Sequence, residues 1–122
     1  MNLLRAFCLV LVILLSAQAH AHALLDRAEP RVGATVQTAP KQLKLWFTLG
    51  IDPSLSTAMV MDSKGGRVDK NDAQVDLADR ALIRVSLEAL VPGDYTVVWR
   101  AGSSDGHLSQ GDFVFHVGPG AN

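Results

Sequence analysis

The chain has 122 residues, 48% of them hydrophobic, with 11 Lys and Arg against 12 Asp and Glu, four His and one Cys. That length accommodates one domain and hardly two. Net charge is −1, and beyond Arg5 the basic residues are scattered singly from Arg27 to Arg100. No run or stripe of them is available to neutralise phosphates, so nucleic acid is excluded as a partner.

The apolar residues crowd the start. Ala6–Leu15 is an uninterrupted apolar run, with Arg5 before it and two overlapping Ala-x-Ala patterns after it, Ala17-Gln18-Ala19 and Ala19-His20-Ala21. This is the pattern of a cleaved export signal over residues 1–21, with 22–122 as the exported domain. As a helix the run is too short to cross about 30 Å of hydrocarbon at about 1.5 Å per residue. No second long apolar stretch follows, so the exported chain is not expected to span a membrane. Cys8 lies inside the run and leaves with it, which removes disulfides, thiolate catalysis and soft-metal thiolate sites from consideration. Any metal must be met by His, Met, Asp, Glu or backbone.

Either Ala-x-Ala site leaves a histidine as the new first residue, His20 or His22. An α-amino group loses its proton more readily than a lysine amine, and with the imidazole of the same residue it forms a two-nitrogen chelate. Cleavage after Ala19 instead exposes His20-Ala21-His22, where two amides and the third-position imidazole offer a different, self-contained Cu(II) chelate.

The remaining elements are short strands. Val32, Ala34 and Val36 alternate weakly. Leu43–Leu49 alternates with Leu43, Leu45, Phe47 and Leu49 on one face. Thr57–Asp62, Ala81–Leu87, Tyr95–Ala101 and Phe113–Val117 are further runs rich in β-branched and aromatic residues. Turn signals separate them at Asp52-Pro53, Ser63-Lys64-Gly65-Gly66, Pro92-Gly93-Asp94 and Gly118-Pro119-Gly120. Six or seven such strands predict an all-β fold, an antiparallel immunoglobulin-like β-sandwich. Met59 and Met61 share one face of their strand and are expected to be core filler. His116 is out of phase with Phe113, Phe115 and Val117 and is expected to face solvent.

Chemistry concentrates in Ser103-Ser104-Asp105-Gly106-His107, between the last two strands. In extended backbone, residues i and i+2 project to one side, so Asp105 and His107 can converge on one point. Gly106 between them permits geometry that a larger residue would resist. With an N-terminal His, the set is one amine, two imidazoles and one carboxylate. That nitrogen-rich set suits tetragonal Cu(II), which stands highest in the Irving–Williams order. Zinc competes for the same ligands but prefers a tetrahedral arrangement.

Over essentially the whole exported chain the sequence resembles the periplasmic copper-resistance proteins of the CopC type. The resemblance is carried by His22-Ala23-Leu24-Leu25 leading to Pro30, by Leu43-Lys44-Leu45-Trp46-Phe47, and by Pro92–Arg100 running into Ser103–His107, with Gly111 and Phe115 beyond. It implies a cupredoxin-like or immunoglobulin-like Greek-key β-barrel or sandwich, periplasmic location and cleavage after Ala21. It also implies a Cu(II) site built from His22, through amine and imidazole, with Asp105 and His107. The implied role is copper sequestration or carriage in homeostasis and resistance, with hand-over to an inner-membrane copper transporter or another periplasmic copper protein, and no catalysis. Two departures are visible. Some members have a Cu(I) site in a Met-rich loop with a His, whereas the body of this chain offers only Met59 and Met61, and Leu49 stands near a place where some carry a Glu, so a Cu(II)-only member is expected.

Two other classes fit parts of the pattern. A pair of histidines including the N-terminal one also describes copper mono-oxygenases, but the aromatics mostly lie in core-patterned strands and Asp105 adds an anionic ligand favouring Cu(II). A metal-free immunoglobulin-like assembly module would leave Asp105 and His107 as plain loop polars. No nucleophile-elbow sequence supports a hydrolase.

Overall fold

The structure is a computed structural model that describes residues 22–120. The expected export signal and the two cleavage positions lie outside the described residues. The strands are β1 (Leu25–Glu29), β2 (Thr35–Val36), β3 (Gln42–Phe47), β4 (Thr57–Asp62), β5 (Gln74–Val75), β6 (Leu82–Ser86), β7 (Gly93–Gly102) and β8 (Leu108–Val117). They form two four-stranded sheets, ordered β1-β3-β6-β5 and β2-β8-β7-β4. All pairings are antiparallel except β2 with β8, where Thr35 faces His116 and Val36 faces Val117 in parallel register. The only helical turn among the described residues is the 3₁₀ turn Pro53–Leu55, which Asp52 caps by accepting the Ser54 amide at 2.8 Å.

Period-two patterning builds the core between the sheets. Leu43, Leu45 and Phe47 project inward from β3, Ala58 and Val60 from β4, Tyr95, Val97 and Trp99 from β7, and Phe113, Phe115 and Val117 from β8. The Phe47 ring meets the Trp99 ring edge-on across the two layers at 5.3 Å, and Tyr95 stacks on Phe115 at 5.5 Å. Each Val, Leu or Phe among these contributes about 1.5–3 kcal/mol on burial. The Tyr95 hydroxyl donates to the Val91 carbonyl at 2.5 Å, the corner contact that closes many sandwiches of this kind.

Several expectations shift. β3 ends at Phe47 and Leu49 is 37% exposed, because the chain leaves the sheet at Thr48 to reach the isolated bridge between Ile51 and Ser103. Trp46 is half-buried on the outer face, with the Arg27 guanidinium 3.8 Å above its ring. Met59 and Met61 are not core filler: Ala58 and Val60 hold the inward positions of β4, so both methionines stand half-buried on the outer face. His116 is on the outer side as expected, its Nδ1 2.6 Å from Asp94 Oδ1. The strands β1 and β5, absent from the periodic reading, complete the first sheet.

Candidate functional site

Two elements from different sheets deliver the expected ligands to one end of the sandwich. The first is the segment entering β1. Ala23 is fully buried, and the Leu24 backbone is held on Thr48 by two bonds: its amide donates to Thr48 Oγ1 at 3.1 Å and its carbonyl accepts the Thr48 amide at 2.8 Å. Immediately before this anchor, His22 is exposed, with its ring 5.1 Å from the His107 ring at an interplanar angle of 80°.

The second element is the loop Ser103–His107, which follows the last β7–β8 pair, Gly102 with Leu108. Convergence of Asp105 and His107 does not come from extended backbone. The loop is a tight turn, closed by the Gly106 amide on the Ser103 carbonyl at 2.9 Å and the Ser103 amide on the His107 carbonyl at 3.0 Å. Gly106 sits at φ +86°, the left-handed region that glycine adopts without penalty. The turn folds the Asp105 side chain back on its neighbours. Its Oδ1 accepts the His107 amide at 3.2 Å, lies 3.0 Å from His107 Nδ1, and accepts the Ser103 hydroxyl.

These contacts favour the charged form of the carboxyl. The Ser103 hydroxyl first, and the His107 side chain and amide next, hold Asp105 well below the usual carboxylate range. Asp105 is therefore ionised throughout the neutral range. The two side chains are partly exposed, 35% for His107 and 43% for Asp105, although His107 Nδ1 itself is buried. Beside it opens a cleft of about 560 Å³ lined by Leu49, Ile51, Asp52, Arg80 and Ser104.

His107 thus touches both His22 and Asp105. Among the described residues, however, no three His, Cys, Asp or Glu side chains already surround a single point. In the full-length chain the His22 nitrogen is a peptide amide joined to Ala21, so the amine counted from the sequence exists only after cleavage at that bond. Sequence reasoning missed two further participants, Ser103 and Thr48. Ser103 had a local signal, a hydroxyl two residues before Asp105 in a turn-rich segment. Thr48 had none, since its partner Leu24 is 24 residues away.

The chain is similar to Protein YobA of Escherichia coli (strain K12), 31% identical over 113 residues that cover 92% of this chain and 91% of that one. It is also similar to part of the Copper transport protein CutJ of Bacillus subtilis (strain 168), 27% identical over 111 residues, 90% of this chain and 20% of CutJ. Among solved structures, CopC from Methylosinus trichosporium OB3b superposes with a TM-score of 0.72 at 32% identity, covering 83% of this chain and 98% of that one. PcoC, a methionine-rich copper resistance protein from Escherichia coli, superposes with a TM-score of 0.68 at 29% identity, covering 80% and 99%. The CopC domain as a family matches residues 25–118, a span that holds Asp105 and His107 and begins three residues after His22. The two-sheet architecture, the solved relatives and this match agree: the chain belongs to the CopC domain family.

Proposed function

We propose that this protein is a non-catalytic periplasmic carrier or buffer for Cu(II), which it binds through the amine and imidazole of His22, the carboxylate of Asp105 and the imidazole of His107. The observation that carries this reading is that His107 is approached by both His22 and Asp105 at one end of the sandwich, with Asp105 Oδ1 and His107 Nδ1 3.0 Å apart. Nitrogen and oxygen ligands lie about 2.0–2.2 Å from a divalent ion such as zinc, so neighbours at right angles around it are separated by about 3 Å. The pair therefore has the spacing of two adjacent ligands, and His107 Nδ1, buried in this structure, has to be uncovered for an ion to reach it. Three nitrogens and one oxygen favour Cu(II) over Cu(I), and copper is named in the relatives CutJ and PcoC. Met59 and Met61 stand opposite Val98 and Thr96, away from the loop, which supports a site without thioethers.

The recipient we infer is an inner-membrane copper transporter or another periplasmic copper protein. In favour of the transporter, a segment similar to this chain forms 20% of a protein named for copper transport.

The test begins with mass spectrometry of the exported protein, expected to show His22 as the first residue. Copper titration followed by electron paramagnetic resonance is expected to give one nitrogen-rich type-2 Cu(II) signal per chain. His22→Ala is expected to weaken binding at least tenfold, and unchanged affinity in that variant overturns the assignment. Protons compete for the nitrogen ligands, so affinity should fall below about pH 7 and be severely reduced near pH 5. Affinity unchanged at pH 5 excludes a mostly nitrogen site.

A further inference from the structure

We propose that Ser103 is a positioning residue for metal capture: its buried hydroxyl holds the Asp105 carboxylate against the His107 imidazole, fixing two ligands at their bound separation before the ion arrives. The proposal rests on the copper reading above and deepens it.

Ser103 and Asp69 are the two buried polar residues among those described, and Ser103 is 4% exposed. Burial of a hydroxyl calls for a partner. The turn does not need this hydroxyl, because its two closing bonds use the Ser103 carbonyl and amide, which any residue supplies. The hydroxyl has one proton to donate. Its alternative acceptor, the His107 carbonyl, is 3.4 Å away, beyond the usual range, whereas Asp105 Oδ1 is in close contact. The donor's backbone is also well anchored: Ser103 directly follows β7, bridges Ile51 and closes the turn through its own amide and carbonyl.

Asp105, by contrast, is exposed at the tip of the turn, where a carboxylate would otherwise sample several rotamers. All three of its described contacts, from Ser103 Oγ, the His107 amide and His107 Nδ1, converge on Oδ1. A buried donor thus selects one carboxylate orientation and sets the 3.0 Å spacing to His107. Outer-sphere partners of this kind typically contribute about 10–100-fold to metal affinity.

The test compares the mature wild type with Ser103→Ala, Ser103→Thr, Asp105→Asn, Asp105→Ala and the Ser103→Ala/Asp105→Ala double variant, by Cu(II) competition titration and electron paramagnetic resonance at full occupancy. Ser103→Ala should raise the Kd about tenfold and alter the copper hyperfine splitting, while Ser103→Thr, which keeps the hydroxyl, should restore both. In the Asp105→Ala background, which has no oxygen left to accept the hydroxyl, the alanine change should cost nothing further, because the serine acts through that side chain. A Kd for Ser103→Ala within twofold of wild type, or an equal cost in both backgrounds, overturns the proposal while leaving the copper site intact. If Asp105→Asn and His107→Ala both bind Cu(II) as tightly as wild type, the copper reading itself fails and this proposal with it.

Discussion

Gly102 borders the Ser103–His107 loop and Gly106 lies within it, and the two resist substitution for different reasons. Gly106 has φ +86° and nothing within 4 Å of a would-be Cβ, so alanine there meets only a backbone penalty, about 1–2 kcal/mol. For a domain of this size that lowers Tm by roughly 4–8 °C per kcal/mol, and thermal unfolding of Gly106→Ala measures it. Gly102 has ordinary backbone angles, but a Cβ there would lie 2.4 Å from Leu55 Cβ, so the obstacle is steric and the 3₁₀ turn must shift. Thr48 acts at a distance. Thr48→Val keeps the shape and removes the acceptor for the Leu24 amide, an exposed donor that water can satisfy, so stability should change by no more than about 0.5 kcal/mol. Copper affinity should fall nonetheless, because the segment carrying His22 loses one of its two anchors. Calorimetric titration beside thermal unfolding separates the two effects.

At the scale of elements, the segment after β4 is fastened by one carboxylate. Asp69, its side chain fully buried, accepts the amides of Val60 at 2.8 Å and Asn71 at 3.0 Å, and the Arg67 Nε at 3.0 Å to each oxygen. Burial alone would raise its pKa, but Arg67 and the two amides outweigh burial and hold it below the ordinary carboxylate value. Asp72 and Asp76 are lowered too, by Ser86 and by Arg84. A carboxyl lowered by folding stabilises the fold above its unfolded pKa of about 3.9 and loses that contribution as pH falls through and below it. Urea midpoints should therefore hold between about pH 7 and 5 and drop steeply below about pH 4. Asp69→Ala, which strands the buried Val60 amide, should cost about 1–3 kcal/mol at neutral pH and flatten the acid limb. The same scale shows what the sequence made legible. Strands β3, β4, β6, β7 and β8 are periodic because each buries one face. β1 buries Ala28 alone and carries a register irregularity between Leu25 and Arg27, which erases the alternation, and β5 is two residues long. The Asp105-x-His107 spacing was legible, but its geometry was not, because it depends on a turn whose closing bonds leave no mark in residue periodicity.

The whole molecule is a frame that carries two chain segments to one end. β1 lies at the edge of one sheet and the β7–β8 loop closes the middle of the other, so His22 and His107 meet only because the sheets are packed together. That packing is achieved between residues 22 and 120 without a single cysteine, by an apolar layer whose members run from Ala23 to Val117. A site assembled this way should stabilise the fold when filled, since an ion that binds only the folded state adds about 4 kcal/mol at 1,000 times its Kd. For a domain of this size the corresponding rise in Tm is about 15–30 °C. The rise should depend on the chemistry of one nitrogen. A mature chain carrying a single extra glycine ahead of His22 keeps every packed residue, so its metal-free Tm should equal that of the chain beginning at His22. It turns the His22 amine into an amide and displaces the new amine by one residue. If the amine is a ligand, Cu(II) affinity falls at least tenfold, about 1.4 kcal/mol, and the copper-induced rise shrinks by roughly 5–10 °C at the same copper concentration. An undiminished rise in the glycine-extended chain would show that copper is held by the side chains alone and that the position of signal cleavage is chemically irrelevant.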